Sequence, residues 1–374
     1  MVGELQQVGT FWAAEANGKT SLDSRLVEVF EKQVERMCQL NESSTGESVD
    51  LQIASIETIS DFDGNEYTLV ECAPTGYMIY HNASGVFVEY SPVTNSPYYN
   101  AKEEGKYVGP NAYYLAKGNE TYIDVLKNKQ INASQVASLQ NTSEKINNEL
   151  AENRNIDILN YIEGNTNISL ADIYEQSTTY ASTRTVSEND GVYVEGYEFF
   201  SELIQCGYID GGKCGYIAAA MLLTYDAIVH DKNTMPLGYY NESEHSLSPR
   251  LATRLYELGV ELGHSAGTSS IDIHDTVKEW LTKRALTVNH ISLYLPTYST
   301  LKIKALIDRD RPVIWFGAIT DNNFDHTSSS GHAVVIYGYV NNGIQSELVA
   351  HFGWNGATCV YFSGILGSMY SYVW

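Results

Sequence analysis

The chain has 374 residues, 43% of them hydrophobic, with 46 acidic against 23 basic side chains and a formal charge of −23. That apolar content excludes a disordered chain, and the length suits two domains of ordinary size. The negative field repels nucleic acid and anionic membrane surfaces, which removes both as expected partners and favours basic or neutral substrates.

Leu22, Leu26, Phe30, Val34 and Met37 recur at three- and four-residue steps, so an amphipathic helix is predicted over 20–40. Short strands follow at 67–72, 76–80 and 85–90, punctuated by Pro74-Thr75-Gly76 and Asn82-Ala83-Ser84-Gly85 as hairpin turns. A second helix near 133–154 carries Val136, Leu139, Ile146 and Leu150. These elements describe an α+β domain, a helix on an antiparallel meander, over 1–176. The polar stretch Ser177 to Gly191 has almost nothing to bury. It reads as an exposed linker over 177–194, and exposed polar segments are where proteases cut.

A second domain is expected over 195–374. Helices come first, at 214–230 and about 250–263, 271–285 and 299–309; strands follow at 313–316, 333–339, 347–352, 359–362 and 370–373. A helical half before an antiparallel β half is again α+β order. No segment reaches the ~18 consecutive apolar residues of a membrane span. The start, Met1-Val2-Gly3-Glu4, lacks the basic and apolar regions of a signal peptide, so the chain is cytosolic or begins after a signal has been removed. Its richness in Tyr, Asn, Ser and Thr fits an exported bacterial protein.

Five cysteines (38, 72, 206, 214 and 359) are too few for a disulfide scaffold, and the odd count leaves at least one free. Cys214 is the expected free thiol. It follows Gly211-Gly212-Lys213 and opens the apolar helical run Gly215 to Leu223. The partial positive charge at a helix N-terminus favours thiolate, the nucleophilic form. Gly207 to Cys214 nearly matches a phosphate loop, but that loop needs a hydroxyl on Mg²⁺ where this chain has a thiol, and Asp210 would sit among phosphates. Zinc spacing is absent: Cys206 and Cys214 are eight apart, and His326 and His332 six apart. Cys38, Cys72 and Cys359 sit in apolar segments as inert core residues.

A thiol nucleophile needs a base. His332 stands where the polar loop Asp321 to Gly331 turns into the strand Ala333 to Ile336, so its ring can face a cleft, with Gly331 and the loop flanking substrate. Downstream, His351-Phe352-Gly353-Trp354-Asn355-Gly356 ends a strand in an aromatic-glycine turn, where Trp354 can shield a polar pair from water.

In that order, Gly212-Lys213-Cys214 with Ala218-Ala219-Ala220-Met221, Arg311-Pro312-Val313, Gly331 to Gly338, and His351 to Gly356 resemble papain-like cysteine peptidases, most closely the streptopain family of secreted bacterial proteases. The resemblance covers roughly 195–374. It implies a papain-like catalytic domain in which Cys214 attacks the scissile carbonyl and His332 acts as base, then acid. It implies a protein or peptide substrate, no metal and no cofactor. The N-terminal domain resembles that family's propeptide, which blocks the cleft and displaces the catalytic histidine until it is removed. The chain would then be a zymogen whose partner is its own prodomain, cut in the region of Arg184. Two departures stand out. His351 occupies the position where the family usually has Asn, with Asn355 competing for the task of orienting His332; in that role His351 would make activity fall as it protonates. The family's oxyanion Gln falls at Tyr208, leaving Gln205 as the nearest glutamine. Rival readings are a papain-fold amidase acting on cell-wall or other non-protein amides, and a papain fold that only binds.

Overall fold

The chain's apolar residues are spaced to cover both faces of a sheet, and this decides the architecture. The computed structural model describes residues 23–373 except 119, 127, 177–190, 210–212, 237, 265–268, 296–298, 318–331, 342–345 and 364–366. The N-terminal half runs α1 (Ser24–Thr45), β1 (Gln52–Ser60), β2 (Glu66–Ala73), β3 (Tyr77–His81), β4 (Val86–Ser91), β5 (Glu104–Gly109), β6 (Ala112–Ala116), β7 (Tyr122–Asp124), β8 (Lys129–Ile131), α2 (Ala133–Glu152), α3 (Ile156–Glu163) and α4 (Leu170–Gln176). The C-terminal half runs β9 (Val192–Tyr193), α5 (Glu198–Ser201), α6 (Cys214–Val229), β10 (Tyr240–Asn241), β11 (Ser246–Leu247), α7 (Pro249–Glu261), α8 (Ser270–Lys283), β12 (Asn289–Leu295), α9 (Ser299–Ile307), β13 (Val313–Gly317), β14 (His332–Asn341), β15 (Ser346–His351), β16 (Val360–Ser363) and β17 (Gly367–Val373). The fold is α+β, as the element order predicts.

Helix α1 starts where the Asp23 side chain accepts from the Arg25 N–H at 2.9 Å, and it ends at Gly46 with φ 72°, a left-handed cap that suits glycine. Its buried stripe includes Phe30, which meets the rings of Tyr80 and Phe87 edge-on. Successive strand residues point to opposite faces. Met78 and Tyr80 therefore join the core under α1, while Tyr77 and Ile79 join the core formed with Leu139, Ile146 and Leu150 of α2. With both faces covered, β3 is buried along its whole length.

In the C-terminal half, α6 is buried from Gly215 to Asp226, apolar on every side as far as Leu223, and packs on β13, β14, α7 and α8. Helices α7 and α8 begin at capping serines, Ser248 and Ser269.

The sequence reading treats the halves as separate sheets. The structure joins them. Strand order is β12-β17-β13-β14-β15-β16-β4-β3-β2-β1-β5-β6-β7-β8, with β9 on β14. Within this sheet the strand pairings are antiparallel except β1 with β5. The seam is β16 on β4, through Tyr361 opposite Tyr90 and Phe362 opposite Glu89. The Tyr90 and Tyr361 rings stack at 5.0 Å. Ser91 Oγ donates to the Cys359 carbonyl at 2.7 Å, and Ser363 Oγ to the Phe87 carbonyl at 3.1 Å. Val192 and Tyr193, inside the span read as linker, pair with Tyr339 and Gly338; two residues are too few to show a strand pattern. The rest of that span, 177–190, lies outside the described residues. Among the described residues no helix is long and apolar enough to cross a membrane.

Candidate active site

Helix α6 places Cys214 at its first position, half-buried and in no disulfide. Lys213 precedes it and makes no side-chain cap; its ammonium lies 4.2 Å from the centre of the Tyr256 ring, a cation–π contact. All five cysteines are unbridged, so Cys214 is not singled out by oxidation state. Cys72, Cys206 and Cys359 are buried, and Cys38 is half-buried.

Strand β14 opens on His332, opposite Gly317 of β13. The imidazole is 9% exposed, and its Nε2 lies 2.8 Å from the Phe352 carbonyl. A carbonyl only accepts, so Nε2 carries a proton and Nδ1 is the nitrogen left to act as a base. The Trp354 ring stands 4.9 Å from the imidazole, and Phe352 meets Trp354 edge-on. The carbonyl is aimed by a tight turn in which the Phe352 N–H donates to Ala357 and Gly353 has φ 81°.

His351 is fully buried. Its Nδ1 accepts from the Gly353 N–H and its Nε2 donates to the Leu203 carbonyl, each at 2.9 Å. Both ring nitrogens are committed to backbone, and the acceptor on His332 is Phe352 O. Burial pushes the His351 pKa down to about 4, so its ring stays neutral and the expected protonation near neutral pH does not arise. Asn355 is exposed on the turn, its Oδ1 4.0 Å from the Cys206 sulfur. The Cys206 thiol donates to the Gly353 carbonyl at 2.8 Å, and burial pushes its pKa up to about 12. Gln205 is exposed, its carbonyl accepting from Leu247 N–H at 2.8 Å, and it is not among the cleft-lining residues. Arg184 and Gly331 lie outside the described residues.

Cys214 and His332 line one cleft of about 480 Å³. The C-terminal half adds Tyr208, Ile209, Lys213, Ile217, Trp354 and Asn355. The N-terminal half adds Asn111, Asp124, Val125 and Leu126. Asn111 sits at the β5–β6 turn with φ 71° and is 5% exposed; among the described residues neither its Oδ1 nor its Nδ2 has a hydrogen-bond partner. The sequence reading passes over these four residues. The Gly109-Pro110-Asn111 turn is visible in the chain, but its place opposite Cys214 is not. Among the described residues no group of three His, Cys, Asp or Glu side chains is arranged to hold a metal ion.

No family model matches the chain, and no curated protein matches it. Among solved structures, a prointerpain A fragment of Prevotella intermedia is similar at 12% identity and a TM-score of 0.38, covering 85% of this chain and 98% of the fragment.

Proposed function

We propose that the chain is the precursor of a secreted cysteine endopeptidase, with Cys214 as nucleophile and His332 as general base and then acid. The observation that carries this reading is the shared cleft: thiol, imidazole and the N-terminal-half residues Asn111 and Asp124 to Leu126 line one space. In the reaction, Nδ1 of His332 takes the thiol proton and the Cys214 sulfur adds to the scissile carbonyl. The oxyanion is met by the Cys214 backbone N–H, a role that does not require Gln205. His332 protonates the leaving amine, and the C–N bond breaks. Water, deprotonated by His332, then hydrolyses the thioester and restores the thiol. Trp354, beside the imidazole, keeps water from competing for its hydrogen bonds.

In this reading residues 1–176 are an inhibitory prodomain, residues 195–374 the peptidase, and Arg184 or its neighbours in 177–194 the cleavage region. Substrate is protein or peptide. Export is part of the reading on the Tyr-, Asn-, Ser- and Thr-rich composition. Incubating the wild-type chain and Cys214→Ala separately tests it. A fragment of about half the mass should accumulate from the wild type, cut between 177 and 194. Equal cutting of the Ala variant alone would rule out self-processing.

A further inference from the structure

The peptide unit between Phe352 and Gly353 is held at both ends by histidines. Its carbonyl accepts from Nε2–H of His332 at 2.8 Å, and its N–H donates to Nδ1 of His351 at 2.9 Å. A peptide unit is a rigid plane, so fixing the N–H fixes the direction of the carbonyl. His351 in turn donates from Nε2 to the Leu203 carbonyl at 2.9 Å. The four groups form one chain of hydrogen bonds running in a single direction, from Nε2 of His332 through the peptide to His351 and on to Leu203. Such chains polarise each member. Two further bonds stitch the same turn to the segment leading to the nucleophile: Gly356 N–H to Ile204 O at 3.1 Å, and the Cys206 thiol to Gly353 O at 2.8 Å.

We infer that His351 is a positioning residue that acts on His332 through the Phe352–Gly353 peptide plane, while tying that plane to the segment before Cys214. This rests on the peptidase reading above. Both ring nitrogens of His351 bond backbone groups, so it makes no hydrogen bond to His332 itself. It works as a neutral ring, one nitrogen accepting and the other donating. Burial, which disfavours its charged form, supports that state.

Three substitutions separate the two ends of the ring. His351→Asn keeps an acceptor near the place of Nδ1, His351→Gln keeps a donor near the place of Nε2, and His351→Phe keeps neither. With every variant cut between 177 and 194 by an added protease, His351→Phe should lower kcat on a peptide by ~10²-fold with KM little changed, the scale of a misplaced catalytic group. His351→Asn should recover most of that loss, and His351→Gln much less. The rate at which iodoacetamide alkylates Cys214 at pH 6.5 should follow the same order. Equal kcat in the Asn and Gln variants, or a wild-type alkylation rate in all three, would overturn the inference. Ring ¹⁵N shifts in the uncut Cys214→Ala chain decide independently of whether the Phe variant folds. Both His332 and His351 should be Nε2–H tautomers, with His351 neutral from pH 5 to 8. An Nδ1–H tautomer at either ring, or titration of His351 in that range, would overturn it. Failure of the wild type to hydrolyse any peptide would instead count against the peptidase reading, and the ¹⁵N result would still judge the relay.

Discussion

Arg36 of α1 and Glu347 of β15, 311 positions apart in the chain, form an ion pair across the two halves with Nη2 2.8 Å from Oε2. The Tyr90 hydroxyl donates to the same carboxylate oxygen at 2.7 Å. Glu347 is 2% exposed, so the pair is buried. Removing one member of a buried pair leaves the other uncompensated, at about 3–5 kcal/mol. Arg36→Met should therefore lower the urea midpoint by a corresponding amount, and Arg36→Met with Glu347→Leu should recover most of it. An unchanged midpoint in the single variant would mean that the pair does not hold the halves together.

Glu89, beside the seam, has a different sign. It is fully buried and accepts from the phenols of Tyr77, Tyr107 and Tyr113. Burial raises its pKa from the ordinary 4.5 to about 7, the three phenol donors opposing the shift. A carboxyl raised in the folded state favours folding most below 4.5, and that contribution is lost as pH climbs to about 7. The melting temperature of the wild type relative to Glu89→Gln should thus fall between these pH values and level off above them. Parallel curves for the two proteins would show that Glu89 is not the group responsible.

Gly353 is needed for its backbone. At φ 81° a side chain is strained, and a Cβ there would meet only the Ala333 carbonyl and His332 Nε2, both at 3.8 Å. Space is available, so the cost is conformational, roughly 1–3 kcal/mol. Gly353→Ala should rotate the Phe352 carbonyl and lower kcat by more than the fraction of chain unfolded at the assay temperature accounts for. A variant with wild-type kcat would remove Phe352 O from its place behind His332.

How much of this was legible in the sequence depends on what carries it. Helix α6 announces itself as an unbroken apolar run, and β3 and β4 as short apolar segments between turns, because side chains define them. The β4–β16 seam is a backbone contact of two residue pairs and leaves no periodic trace. Cys214 and His332 were visible as a thiol at a helix start and a histidine at a strand start. The sequence offers side chains, His351 and Asn355, as partners of His332, whereas the structure supplies a main-chain carbonyl. Every residue has such a group, so no residue type marks it. Asn111 was invisible for a related reason: an asparagine in a tight turn is ordinary, and only the folded chain aims it into the cleft.

The most direct measurement is covalent. Treating the chain, cut between 177 and 194 by an added protease in wild type and variant alike, with a peptidyl electrophile and mapping the adduct by mass spectrometry tests thiol and base together. The expected result is one adduct per chain, on Cys214, formed at least ~10²-fold more slowly in His332→Ala, the lower end of what a general base contributes. An adduct on another cysteine, or an unchanged rate at Cys214 without His332, would contradict the assignment of this pair as nucleophile and base.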